Sequence, residues 1–205
     1  NPAAAGIAPN GGLSPTQVLT VKNSGSMTFA ASADEPSKGA VYWGQTNAPM
    51  SKFRLSATDE GQYIEKLTIG ASASAAEKTD AANNVKEVIL TYKNKAGSTL
   101  TTTQSFGVGA SANFNWSSGD ANRPYVPQDS SLEVAVNADM KTKEEGATQT
   151  TGTTADTTLI RFSLDLVDRY NGSNTNGFRA VGEGSGTVLD GASTNIVDVL
   201  GSYNQ

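Results

Sequence analysis

Between Ser131 and Asp139, Leu132, Val134, Val136 and Ala138 alternate with Glu133, Ala135, Asn137 and Asp139. A period of two sends successive side chains to opposite faces of an extended chain, so this stretch reads as a half-buried β-strand. The pattern recurs. Lys52–Ala57 places Phe53, Leu55 and Ala57 inward and its two cations outward. Val85–Lys93 turns Val88, Leu90 and Tyr92 inward, and Leu159–Val167 does the same with Ile160, Phe162, Leu164 and Leu166. Further strands are expected at Val18–Val21, Ser26–Ala30, Tyr63–Ile69 and Ser98–Phe106, with weaker ones at Phe178–Val181 and Thr187–Leu189. Phe114 and Trp116 form a short aromatic segment. Asp59-Glu60-Gly61 and Asn94-Lys95-Ala96-Gly97 are turn signals, the second suited to a hairpin. Residues 71–84 read as a helical turn or a loop, and no window sustains an amphipathic helical period. Roughly eight to ten strands with no βα alternation imply an all-β chain, an antiparallel β-sandwich.

Residues 1–16 differ from the rest. Pro2, Pro9, Asn10-Gly11-Gly12 and Pro15 mark an extended N-terminal arm that does not pack on its own. The expected division is an arm over 1–16 and a sandwich domain over 17–205. Such an arm lies either along its own domain or on a neighbouring copy. Asn1-Pro2-Ala3 has neither the charged start nor the apolar centre of a leader, which suggests a mature form.

The chain has no histidine and no cysteine. That excludes a Ser-His-Asp triad, a His-based metal site, disulfides and thiol chemistry. A net charge of −5 disfavours nucleic acid and anionic membrane as partners. No apolar run approaches the roughly 20 residues that span a bilayer. Low charge with abundant Thr, Ser, Asn and Gly fits an extracellular protein.

Carboxylates remain as candidate chemistry: Asp59-Glu60, Glu144-Glu145, and Asp165 with Asp168. A glycosidase needs two facing a cleft, whereas solvated turns and outward strand positions account for all of them. The expectation is therefore no enzyme, no catalytic residue and no organic cofactor. Calcium, which needs only oxygen ligands, suits Asp165–Gly172 better than catalysis does, although the stretch lacks EF-hand spacing. Gly107-Val108-Gly109 and Gly182-Glu183-Gly184-Ser185-Gly186 read as turns, because neither precedes a helix. Tyr42, Trp43 and Trp116 could line a sugar-binding face or fill a core. Asn115-Trp116-Ser117 and Asn171-Gly172-Ser173 are potential glycan acceptors at Asn115 and Asn171. A Lys–Asn isopeptide crosslink is chemically open to this composition.

The distribution of charge points to assembly. Residues 1–33 contain one charged side chain, Lys22, and residues 96–119 contain none. Sheet edges are normally protected by charge, proline or bulges, so neutral edges invite strand addition from another chain. The candidate interface is Val18, Leu19 and Val21, in the first strand after the arm.

The order of parts gives a resemblance. Met27 leads to a Pro36 turn, then Lys52-Phe53-Arg54-Leu55-Ser56-Ala57-Thr58-Asp59-Glu60, Ile64–Ile69, Val85–Tyr92, Gly97-Ser98-Thr99-Leu100 and Ser130-Ser131-Leu132-Glu133-Val134 ending in Ala138-Asp139. This resembles the β-sandwich modules found in tandem in predicted surface proteins of candidate-phyla bacteria. The resemblance implies an exported structural or adhesive role and carries no catalytic motif. The single module and the Pro/Gly-rich arm depart from a tandem array and favour self-assembly. The expectation is a secreted subunit that polymerises with copies of itself into a surface filament or layer. The alternative is an adhesive or carbohydrate-binding module.

Overall fold

A computed structural model describes residues 24–37, 39–71, 75–107, 109–146, 160–167, 177–193 and 196–204. The arm, the expected strand at Val18–Val21 and the sequon at Asn171 lie outside these residues. The elements are β1 (Ser26–Ala31), β2 (Ala48–Thr58), β3 (Gln62–Ala71), α1 (Ala75–Asn84), β4 (Val85–Lys93), β5 (Thr99–Ser105), β6 (Ser111–Asn115), β7 (Tyr125–Val126), β8 (Ser130–Met140), α2 (Lys143–Gly146), β9 (Ile160–Leu164), β10 (Phe178–Gly182), β11 (Val188–Asp190) and β12 (Val199–Asn204).

They form two antiparallel sheets, as the alternation requires. The first has the order β1-β2-β8-β4-β5. Its centre is β8, whose alternating Leu132, Val134, Val136 and Ala138 are all buried. The second sheet runs β11-β10-β3-β9-β12, with β6 and β7 also paired to β3. One stretch of β3 thus has partners on both sides, and the sheet curls. Phe53, Leu55, Leu90, Phe114, Phe162, Phe178 and Leu164 fill the space between the sheets with almost no exposure. Phe29 meets Phe178 edge-on at 4.9 Å, and Phe106 meets Phe162 at 5.5 Å, joining the layers.

Three elements differ from expectation. Residues 75–84 form a ten-residue helix. Its warrant is alanine content, not amphipathic period: Ala75, Ala76, Ala81 and Ala82 are the strongest helix formers, and Ala81 is fully buried. The two-residue β7 is too short to carry a periodic signal. β12 lies in the uncharged tail, which has no strict alternation.

β3 contains a bulge. Arg179 pairs with Lys66 and Ala180 with Ile64, so Glu65 is the extra residue. The bulge exchanges the two faces of the strand, and Ile64 and Leu67, three apart, are both buried. It also turns the Glu65 side chain, 8% exposed, between Arg123 at 3.0 Å and Arg179 at 2.9 Å.

Candidate functional site

The uncharged run from Ala96 to Gly119 contributes an outer strand to each sheet. β5 ends the first sheet and pairs, among the described residues, with β4 alone. β6 likewise pairs with β3 alone. The β4–β5 register runs from Glu87↔Ser105 to Lys93↔Thr99 without a shift. β5 therefore has no charge, no proline and no bulge. Its Leu100 packs against the core, while Thr99, Thr101, Thr103 and Ser105 are exposed. On the same outer face, Thr101 lies opposite Thr91, which pairs in turn with Ala135 on β8, and Thr103 lies opposite Ile89. The surface is neutral along the middle of this edge, while Glu87 and Lys93 stand on the same face at the two ends of β4, opposite Ser105 and Thr99. Toward the other side of this face Glu133 bonds Arg54 at 2.7 Å and sits 3.7 Å from Lys52.

The opposite side of the sandwich is closed differently. β12 lies against β1 and β2. A Cβ at Gly201 would come within 2.7 Å of the Phe162 carbonyl and 2.9 Å of a Glu35 carboxylate oxygen. Glycine is what lets these segments meet.

At one pole a polar network ties the strand ends together. Glu60, in the β2–β3 turn, accepts hydrogen bonds from the Gly25 N–H (2.8 Å), the Gly184 N–H (3.1 Å), the Ser185 N–H (3.0 Å) and the Ser185 hydroxyl (2.7 Å). The Gly182–Gly186 loop that reads as a turn does hold an anion, and the anion is this internal carboxylate. Glycine is required around it: a Cβ at Gly25 would lie 2.7 Å from Glu60 Cγ, and one at Gly182 would lie 2.6 Å from Glu60 Cδ. Beside it, Glu183 bonds both Lys95 and the Tyr125 hydroxyl. Burial and the bond to Glu183 push the Tyr125 hydroxyl up to about 12. Glu183 in turn raises Lys95 above the ordinary lysine range.

Burial alone would raise the Glu60 pKa, but the bonds from Ser185, Gly25 and Gly184 outweigh it and hold the carboxyl at about 2. The folded state therefore binds this proton less readily than the unfolded chain, whose value is near 4.5. The resulting stabilisation is complete above pH 4.5 and is lost as pH falls toward 2. Urea midpoints should fall through that window, and Glu60→Gln should flatten the profile. An unchanged slope in the variant would show that other carboxylates carry the acid response.

An open groove of about 400 Å³ lies next to this pole, lined by Tyr63, Asn94, Lys95, Asp120 and Arg123. Its cations are already engaged: Lys95 with Glu183, and Arg123 with Glu65 and with the Tyr63 ring, whose centroid is 4.1 Å away. No free positive charge is left there to recognise an anion.

The three aromatic candidates separate. Trp116 is half-buried, donates from Nε1 to the Tyr92 hydroxyl at 2.9 Å and stacks on Phe114. Tyr42 and Trp43 are 69% and 43% exposed in the β1–β2 connection. Their turn is strapped to the other end of β8 by Gly44 N–H to Lys141 O, Met140 N–H to Gln45 O, and Asn47 N–H to Asp139 Oδ1. Asn115 is exposed at the end of β6.

Of the other acidic candidates, Glu145 and Asp165 are built into the fold. Glu145 and Thr142 cap α2 reciprocally, each backbone N–H donating to the other's side chain. Asp165 is fully buried, with Gly70 leaving room for its carboxylate, and Asp168–Gly172 lie outside the described residues. Among the described residues no group of three or more acids is placed to hold a metal ion, and no described helix is long and apolar enough to cross a membrane.

No protein-family model matches the chain, and no curated protein matches it. Among solved structures, a match is the X-ray structure of Northeast Structural Genomics Consortium target SoR45. It has 8% sequence identity over 88% of this chain and 84% of that one, at a TM-score of 0.25, a likeness too low to bear on fold or function.

Proposed function

We propose that this chain is an exported structural subunit that assembles with copies of itself into a cell-surface filament or layer, its N-terminal arm and first strand adding to a sheet edge of a neighbour. The observation that carries this reading is β5: a seven-residue outer strand without charge, proline or bulge that pairs, among the described residues, with β4 alone. Backbone hydrogen bonds along such an edge supply affinity without any catalytic or metal-binding side chain, which suits a chain without histidine or cysteine. An unclosed head-to-tail contact of this kind propagates into a polymer. Deleting residues 1–21 is expected to leave a folded monomer, seen by light scattering and negative-stain microscopy. Polymers of normal length from that deletion would overturn the reading.

A second reading, an adhesive or carbohydrate-binding module, is favoured by the exposure of Tyr42 and Trp43 on a strapped turn. Large rings held this way contribute contact area with little entropic loss. If they bind a saccharide, replacing both by alanine should abolish retention on immobilised glycans without moving the melting temperature; retention unchanged would remove this reading.

A further inference from the structure

The sheet order constrains which copy of the first strand can occupy the β5 edge. β1 and β5 are the two outer strands of the five-stranded sheet. A strand added outside β5 would lie five strand spacings from β1, roughly 24 Å. Gly25, immediately before β1, is pinned by its N–H to Glu60 at 2.8 Å. Val21 is four residues earlier, and four residues of fully extended chain reach only about 14 Å. Val21 therefore cannot reach the β5 edge of its own molecule, so Gln17–Val21 cannot pair along that edge over its full length within one molecule.

We propose that the outer edge of β5 is the acceptor for Gln17–Val21 of a second copy, so that full pairing of this segment along the edge occurs between molecules. This rests on the assembly reading above and names its surface. The two partners match in character. Residues 13–21 carry no charge, Gln17, Leu19 and Val21 alternate with Val18 and Thr20, and β5 is neutral along its whole length. The other outer strand of this sheet, β1, is flanked by β12. In the second sheet, β11 has only three residues to offer.

The test uses two full-length variants. Thr101→Lys/Thr103→Lys places charge on the solvent face of β5 and leaves the donor segment intact. Leu19→Asp disables the donor and leaves β5 intact. Each alone is expected to remain monomeric while melting with the wild-type protein, and the single Thr103→Lys serves if the double variant folds poorly. Mixed in equal amounts, the two variants have one working donor and one working acceptor between them, and are expected to form 1:1 dimers that grow no further. If the β5 variant polymerises like the wild type while deletion of residues 1–21 does not, β5 is not the acceptor, although assembly through the arm stands. If the mixture yields no dimers, pairing between copies at this edge is likewise overturned. Wild-type protein that stays monomeric at high concentration overturns the assembly reading together with this one.

Discussion

Glu65→Ala is expected to destabilise the fold by about 3–5 kcal/mol, the range for breaking a buried ion pair by removing one partner. Glu65 is 8% exposed and the Arg123 side chain 13%, so the arginine left behind has little access to water. Arg179, about half exposed, can rehydrate and contributes less. The loss would appear as a lower urea midpoint with an unchanged slope. Replacing the buried pair together, Glu65→Leu with Arg123→Met, should recover most of it, because the penalty lies in the stranded charge. A double variant as unstable as the single one would locate the cost in the geometry of the bulge.

Phe162→Ala is expected to cost a similar ~3–5 kcal/mol by opening a cavity. Phe162 is wholly buried on β9 and pairs opposite Ala71 on β3. It also meets the ring of Phe106, in the connection that leaves β5. Removing it unties the two layers where the uncharged side of the sandwich begins. In a chain of this size that loss corresponds to a melting temperature lower by about 6–20 °C. A shift of only a degree or two would mean that neighbouring side chains collapse into the space.

How much of this was legible beforehand depends on the length of the signal. The alternation of Leu132, Val134, Val136 and Ala138 identified β8 and its buried face, and Val88, Leu90 and Tyr92 did the same for β4. Neutral edges were legible too, because charge is absent from residues 96–119 whatever the pairing. Sheet order was not, since β8 pairs with β2 and β4 across a long sequence separation that no local pattern records. The Glu60 cradle was missed because its donors, Gly25, Gly184 and Ser185, lie far from Glu60 in the chain. Glu65 was missed although a signal existed: Ile64 and Leu67, three apart, break the period of two and mark the bulge. Of the aromatic candidates, Trp116 is set apart by its contact with Tyr92, 24 residues away, which no local pattern shows.

The position of β8 has a kinetic consequence. It is the eighth strand described, yet it separates β2 from β4 in the first sheet. β1 with β2, and β4 with β5, can each associate early, but neither pair gains its central neighbour until residues 130–140 arrive. Closing such long loops before the contacts reward them makes folding slow. For that interval the inner edges of β2 and β4 are as open as the outer edge of β5. The newly made chain would then be most exposed to mispairing with its own kind before β8 is in place.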